Sequence, residues 1–217
     1  MTDPITLHIA EQSAFRHALE SAVAIRMARR YRDIYPVLDH VRVTGCAGDQ
    51  TVMVWATDRF IILQVEVDLS EPLSGPVDLL IPMDYVATLT RQLAKKPVPC
   101  ELTAYEVNSV SLTLNTFDSQ TSVPAGIGNF PRVAHIIEQA GRPLDENIEN
   151  FQSHALGPEV MAKLAKIKPH PEDSGTDPGS LFIRWGDRRK PAFFQSGQTG
   201  KIVGSFMPFS HTLIPER

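Results

Sequence analysis

The chain has only two cysteines, Cys46 and Cys100, and no long uninterrupted run of apolar residues. Both cysteines lie in predicted strands without the spacing of a metal site, so we expect buried, reduced thiols. No apolar run approaches the roughly 20 residues that a membrane-spanning helix needs. Residues 1–5 show no basic leader followed by an apolar stretch. The sequence thus predicts a soluble, cytoplasmic globular protein without a membrane partner.

Residue patterns of a catalytic or metal centre are also missing. The seven histidines are scattered along the chain without the spacing of a metal site. His170, with Glu172 and Asp173, falls in a proline-rich loop, where a solvated surface is the simpler interpretation. The Gly-Ile-Gly stretch at residues 126–128 is too short for a dinucleotide-binding fingerprint. We therefore predict a protein that is not an enzyme and needs no metal or cofactor.

What the chain does contain is a repeated order of one strand, one helix and three strands. Such internal repetition decides the architecture on which any site must lie. The first unit has strands at 5–10, 37–46, 51–57 and 60–68 with a helix at 11–32. The second has strands at 77–82, 99–106, 109–116 and 120–124 with a helix at 83–96. The third has strands at 150–156, 181–185, 191–195 and 201–207 with a helix at 158–167.

Hydrophobic periodicity supports these elements. Val52, Val54 and Ala56 alternate with Met53, Trp55 and Thr57, which is the pattern of a sheet with one buried face. In the first two helices apolar residues recur at intervals of three and four, so each helix has one apolar stripe to lay on a sheet. The fold class is therefore α+β, with helices on one face of antiparallel sheets.

Positive charge is concentrated on the predicted helices. Residues 11–33, 84–96 and 159–168 each carry two more basic than acidic residues, whereas the whole chain has a net charge of −4. A basic stripe on an acidic body can follow phosphates without reading bases. The plainer alternative is that exposed helix faces are often charged and that late basic residues complement the helix dipole. The candidate DNA-binding residues are Arg16, Arg26, Arg29, Arg30, Arg32, Arg91, Lys95, Lys96, Lys163 and Lys166.

Three short motifs decide between these interpretations. Residues 56–60, Ala-Thr-Asp-Arg-Phe, resemble the Ala-Thr-Asp strand corner of bacterial DNA polymerase sliding clamps, the beta processivity factors. Residues 122–125, Ser-Val-Pro-Ala, and 129–131, Asn-Phe-Pro, resemble the end of a clamp domain. Residues 206–209, Phe-Met-Pro-Phe, are similar to the terminal Met-Pro motif of that family. The order and spacing of the three motifs agree with the family.

The resemblance implies a DNA-clamp-like fold whose helices face duplex DNA. Clamps encircle DNA without reading its sequence and tether the polymerase, so the expected partners are duplex DNA and a DNA polymerase or other proteins with a clamp-binding motif. A clamp loader is a further candidate partner. The chain is shorter than a bacterial clamp subunit, so we expect a phage-encoded version.

The resemblance also implies an apolar pocket that holds a short peptide of each client protein. In clamps this pocket is lined by the strand corner, the Phe-Pro domain end and the terminal motif. Arg59 and Phe60 stand where the family often has small or polar residues, so the peptide that fits can differ. The alternative is that the terminal residues only close the core. The corresponding residues here are Thr57, Arg59, Phe60, Pro131, Val133, Met207, Pro208 and Phe209.

One departure from the family concerns size. A clamp domain consists of two units, and this chain has only three units. We therefore predict a complete clamp-like domain at 1–131, a linker at 132–149 with one short helix at 133–139, and a partial domain at 150–217. The chain is expected to form a homo-oligomer in which edge strands pair between subunits. The alternative is an interaction protein or regulator, derived from a clamp, that binds partners or DNA without encircling it.

Overall fold

The computed structural model of the protein describes residues 4–107, 109–141, 157–168, 170–173, 180–184 and 191–206. The helices are Gln12–Ala24 (α1), Arg29–Arg32 (α2), Met83–Gln92 (α3), Ala134–Gly141 (α4) and Pro158–Leu164 (α5). The strands are Ile5–Ile9 (β1), His40–Gly45 (β2), Thr51–Thr57 (β3), Ile61–Asp68 (β4), Val77–Pro82 (β5), Cys100–Val107 (β6), Ser109–Asn115 (β7), Gln120–Pro124 (β8), Leu181–Arg184 (β9), Ala192–Ser196 (β10) and Ile202–Phe206 (β11).

The strands form two antiparallel sheets. One sheet has the order β1-β6-β7-β8, and the other has the order β5-β2-β3-β4-β11-β10-β9. The first two units exchange strands, because β1 pairs with β6 of the second unit and β5 pairs with β2 of the first. The third unit joins along a single seam, where β11 pairs with β4. The predicted fold class is thus confirmed, while the predicted domain boundaries stay a prediction.

Helices α1 and α3 pack against each other and against strands of both sheets. Phe15 and Leu19 on α1, and Val86 and Leu89 on α3, have no exposed surface. These residues belong to the apolar stripes that the sequence predicts. Burying side chains of this size stabilises the fold by about 1.5–3 kcal/mol each.

The predicted single helix over residues 11–32 is wrong, because α1 ends at Ala24 and the four-residue α2 follows after a break. Ile25 and Met27 are both buried although they are two positions apart. A continuous helix would turn two such residues to different faces, whereas an extended stretch turns them to the same face. Tertiary burial therefore overrides helix propensity here. The consequence is that Arg26, Arg29 and Arg30 do not share one helical face.

The other two predicted basic helices are also shorter than expected. Helix α3 ends at Gln92, because Leu93 is extended with ψ of 128°. Lys95 and Lys96 therefore lie in the loop that follows, ahead of Pro97. Helix α5 ends at Leu164, so Lys166 lies beyond its end.

A second apolar cluster covers the opposite face of the seven-stranded sheet. Helix α4 packs there on β10 and β11, and the predicted short helix in this segment is confirmed. The chain leaving β8 runs back across the sheet, and the amide of Gly126 donates to the carbonyl oxygen of Leu80 at 2.7 Å. Buried members of this cluster are Trp55, Ile62, Leu80, Phe130, Val133 and Ile137.

The three strands and the helix of the third unit are present at β9, β10, β11 and α5, as predicted. The strand predicted at residues 150–156 lies outside the described residues. The interpretation of His170 and Asp173 as a solvated surface is wrong, since they are 1% and 2% exposed. The Asp173 carboxylate accepts hydrogen bonds from the amides of Gln198 and Thr199 at 2.9 Å. This carboxylate holds the turn between β10 and β11.

Candidate functional site

Two of the predicted DNA-binding arginines serve the fold. Arg16 donates from Nη1 to the carbonyl oxygens of Thr90 and Leu93, at 2.7 and 2.8 Å, and so satisfies the end of α3. Its Nε also pairs with Glu20 at 2.8 Å. Arg16 therefore fastens α1 to α3 and uses three of its five N–H donors within the fold.

Arg26 is also bound within the fold, through three hydrogen bonds to carboxylates. Its guanidinium makes a bidentate pair with Asp39, at 2.7 and 2.6 Å, and Nη2 also donates to Asp84 at 2.6 Å. These bonds raise the pKa of Arg26 above its usual value, mainly through the hydrogen bond to Asp39. The same contacts lower the pKa of Asp84. Arg26 thus joins the break after α1 to the start of α3.

The remaining arginines of the first unit are more open. Arg29 and Arg30 are exposed, and the Arg30 guanidinium lies 4.8 Å from the centre of the Tyr31 ring. Arg32 donates to the carbonyl oxygen of Met27 at 3.2 Å and lies 3.6 Å from Asp39. Of these three, Arg29 and Arg30 are free to meet a phosphate.

The basic residues near α3 and α5 also comprise exposed cations and one cation that is paired within the fold. Arg91 is exposed and, among the residues that the structure describes, bonds its own helix, with Nε donating to the carbonyl oxygen of Ala87 at 3.1 Å. Lys95, Lys96 and Lys166 are exposed. Lys163 instead forms an ion pair with the buried carboxylate of Asp58.

Two clefts run along α1 and bring several cations to one face. Lys95 and Lys168 line one cleft beside Arg16, and Lys166 and Lys168 line the other. Glu20 lies in both clefts, and Glu11 and Glu172 lie in the first. The face is therefore mixed in charge, with its free cations at the edges of α1.

The Ala-Thr-Asp corner between β3 and β4 is a tight hydrogen-bonded turn. Oδ1 of Asp58 accepts from the amides of Phe60 and Ile61, at 2.9 and 2.8 Å. The Thr57 hydroxyl donates to the carbonyl oxygen of Ile61 at 2.8 Å. Arg59 sits at φ 85°, a region that non-glycine residues seldom adopt. Asp58 therefore orders the start of β4 through side-chain to backbone hydrogen bonds.

The structure brings part of the predicted peptide pocket together at this corner. Thr57 pairs with Ile62 across β3 and β4, and Ile62 belongs to the same apolar cluster as Val133. Phe60 is 53% exposed and Pro131 is exposed, next to buried Phe130. Phe206, the last residue of β11, pairs with Ile61, so the chain leaves β11 beside the corner. Met207, Pro208 and Phe209 lie outside the described residues.

Sequence reasoning missed a buried histidine pair beside α1. The ring centres of His17 and His170 are 6.1 Å apart. Both ring nitrogens of His17 and Nε2 of His170 are buried without a hydrogen-bond partner among the described residues. Burial, and next the neighbouring His170, lower the pKa of His17 to about 4. No sequence signal joins two histidines so far apart in the chain.

Across the described ranges, no helix is long and apolar enough to cross a membrane. The same residues contain no group of three or more His, Cys, Asp or Glu side chains that could hold a metal ion.

Comparison with known proteins identifies the fold. No protein-family model and no curated protein sequence matches the chain. The DNA polymerase sliding clamp of Bacillus subtilis superposes with a TM-score of 0.67 at 12% identity, over 95% of this chain and 64% of that one. The beta subunit of Thermotoga maritima DNA polymerase III gives 0.68 at 12% identity, over 98% and 66%. The beta sliding clamp of C. crescentus gives 0.67 at 12% identity, over 98% and 66%.

The chain therefore has the fold of bacterial sliding clamps, as the three sequence motifs indicate. It spans 64 to 66% of the length of these clamp chains.

Proposed function

We propose that the protein is a noncatalytic, sliding-clamp-like processivity factor that holds duplex DNA without reading its sequence and tethers replication proteins to it in the cytoplasm. The observation that carries this proposal is the clamp fold over 95 to 98% of the chain. The pairing of α1 with α3 on one face agrees with it, since the family resemblance places such helices toward DNA.

The positions of the cations refine the DNA-binding set. Arg16, Arg26 and Lys163 hold the fold through internal bonds and contribute little to phosphate binding. Contacts that are few, loose and directed only to phosphates give weak, salt-sensitive binding and allow sliding. The free cations assigned to DNA are Arg29, Arg91, Lys95, Lys96 and Lys166, whereas Arg30 stacks on Tyr31.

The tethering site in this proposal is the pocket at the seam between β4 and β11. Ile62 and Val133 supply its apolar floor beside buried Thr57, and Phe60 stands half exposed at its rim. Met207, Pro208 and Phe209 are assigned to the same site from the sequence motif alone. A clamp-binding peptide of a polymerase would lie there, and a clamp loader would use the same pocket.

A second candidate is an interaction protein that binds partners through the pocket without encircling DNA. The observation that favours it is that Arg26 and Lys163, two of the predicted DNA-binding cations, are paired with carboxylates within the fold. A ring built from this chain requires an oligomer in which free sheet edges pair.

The DNA-facing assignment is tested by a matched pair of charge reversals. Lys166→Glu removes a free cation beside α1, and Arg132→Glu removes an exposed cation from the segment that crosses the opposite face. We expect Lys166→Glu to weaken duplex binding several-fold and to lower the salt slope by about one. Arg132→Glu should leave both within twofold. Equal effects of the two changes would remove the α1 face from the proposal.

Solution mass, measured by light scattering, separates the two candidates. A closed oligomer at micromolar concentration supports the processivity factor. A monomer that still captures clamp-binding peptides supports the interaction protein.

A further inference from the structure

Arg59 holds an unused guanidinium at the rim of the proposed pocket. The guanidinium lies 4.3 Å from the centre of the Tyr35 ring, which is close enough for a cation–π contact. Within the described part of the chain it meets no carboxylate and no hydrogen-bond acceptor. Its backbone is fixed by the corner, because the Arg59 amide donates to the Thr57 hydroxyl at 3.2 Å. The Arg59 guanidinium therefore has a defined position, and no carboxylate among the described residues neutralises its charge.

A second guanidinium lies on the neighbouring helical turn. The Tyr35 amide donates to the carbonyl oxygen of Tyr31 at 3.0 Å, so the two tyrosines are one turn apart and on the same side. Arg30 covers Tyr31 as Arg59 covers Tyr35. We call Arg30, Tyr31, Tyr35 and Arg59 the arginine–tyrosine ladder. Asp33 is the one acidic residue in the stretch 29–36, which holds three arginines.

The chemistry of the ladder selects an anion with two oxygens in one plane. A guanidinium stacked on a ring keeps its N–H edges open, and those edges fit a carboxylate with two parallel hydrogen bonds. A phosphate would satisfy the same donors. Each tyrosine already carries its own arginine on one ring face, which leaves less room for stacked bases of single-stranded nucleic acid.

The surroundings favour a peptide. Phe60 follows Arg59 directly and is 53% exposed, and Ile34 beside Tyr35 is 62% exposed. A partner segment that buried these side chains would bring its own neighbouring residues over the two guanidiniums. The tyrosines are about one helical turn, or roughly 5–6 Å, apart. Alternate residues of an extended peptide are separated by about 6.5–7 Å, which is comparable to the spacing of the two tyrosines that carry the cations.

We propose that the arginine–tyrosine ladder is a subsite for acidic side chains that flank the apolar anchor of the tethered peptide. The subsite makes this protein select partners whose peptide carries two carboxylates at alternate positions next to the anchor. This proposal rests on the proposed function, because it assumes the peptide pocket. What it adds is the negative charge that the partner peptide carries.

The test uses two fluorescein-labelled ten-residue peptides with the same Leu-Phe anchor. One carries two Asp residues at alternate positions before the anchor, and the other carries two Asn residues there. Fluorescence anisotropy with the full chain should show the Asp peptide binding about tenfold more tightly at moderate salt. Arg59→Asn keeps a residue that tolerates positive φ, and it should cut this preference to about threefold, the share left to Arg30, while changing the affinity for the Asn peptide less than twofold.

Two controls make the result specific. Arg91→Gln removes one positive charge from α3 and should leave the tenfold preference intact. Arg59→Lys keeps the charge without the planar fork and should retain only part of the preference.

The outcomes separate the subsite from the pocket. Equal affinity of the wild-type chain for the two peptides would overturn the acidic subsite and leave the pocket supported. Failure of both peptides to bind would overturn the pocket and the subsite together. Displacement of the Asp peptide by a dT15 oligonucleotide, with loss of oligonucleotide binding in Arg59→Asn, would overturn the peptide assignment and identify a single-strand site instead.

Discussion

The seam between the first and second units differs from the seam between the first and third. The first two units exchange strands and share the core around α1 and α3, where Phe15, Leu19 and Leu89 are fully buried. The third unit is joined by one strand pair, β4 with β11.

Polar contacts supplement the apolar core at that second seam. Asp58 pairs with Lys163, and Lys201 pairs with Asp68 and Glu172. Both seams therefore combine apolar burial with ion pairs, because Phe194, Ile202 and Phe206 of the third unit lie in the same buried cluster as Phe15 and Leu19, and Arg26–Asp84 joins the first two units. The comparison teaches that the seams differ in backbone pairing, since the first two units exchange two strands and the third adds one strand pair. The proposed peptide pocket lies at the second seam.

The largest expected effect is at the Asp58 corner. Asp58→Ala removes the partner of Lys163 and the acceptor for two backbone amides, so we expect a loss of about 4 kcal/mol in the free energy of unfolding. Asp58→Asn keeps an acceptor for the amides and should cost about half as much. Urea denaturation measures both. Hydrogen exchange should show the loss of protection concentrated in β11, and equal loss in α1 would contradict the separation of the two seams.

Leu19→Ala tests the apolar seam. It removes a side chain with no exposed surface between α1 and the sheet, and we expect a cost of about 3 kcal/mol. Because no charge is involved, the cost should be the same at low and high salt. A cost that fell steeply with salt would show that the ion pairs of Arg26, rather than apolar burial, hold α1 at this seam.

Acid should weaken the region where α1 meets the third unit. In the unfolded chain His17 is protonated below a pKa of about 6.5, whereas in the folded chain it stays neutral down to about 4. The unfolded state therefore binds more protons in this window, and the free energy of unfolding should fall by about 2 kcal/mol as the pH drops from 6.5 to 4. The groups facing His17 are Glu20, Lys168 and His170.

His17→Leu supplies the control, since it removes the titrating ring and fills part of its volume. The difference between the wild-type and variant stability curves isolates this histidine. Identical slopes between pH 4 and 6.5 would show that His17 does not titrate differently in the folded state.

The smallest effect is expected from the partly exposed ion pairs of Lys201. Lys201→Met removes the contacts with Asp68 and Glu172, whose side chains are 44% and 45% exposed. Such pairs contribute about 0.5–1 kcal/mol and are screened by salt. Thermal denaturation at two salt concentrations should show the deficit shrinking at high salt. A salt-independent deficit would indicate lost packing of the lysine stem instead.

Much of the fold could be predicted because its signals are local. The strands Thr51–Thr57, Val77–Pro82 and Gln120–Pro124 have the predicted bounds, since alternation and turn residues mark their ends. The break after α1 could not be predicted, because it depends on burial of Ile25 and Met27 by distant elements.

Less of the candidate site could be predicted from the sequence, again because its contacts form between residues that are far apart in the chain. The charge of Arg26 or Lys163 is visible in the sequence, but Asp39, Asp84 and Asp58 become their partners only through the fold. Likewise, Tyr35 gains a role only because the turn after α2 lies beside the corner that carries Arg59. The motif at residues 56–60 could be recognised by its resemblance to the clamp corner because its residues are contiguous in the sequence, and Thr57 and Asp58 bond within that same turn.

The central claim, that the protein surrounds DNA rather than adhering to it, is tested most directly by its dwell time on linear duplex DNA. The chain is allowed to thread onto biotinylated DNA over free ends, both ends are then blocked with streptavidin, and dissociation is followed at moderate salt. An encircling oligomer should stay on the blocked DNA many times longer than on DNA with open ends. Equal dwell times on blocked and open DNA would contradict encirclement.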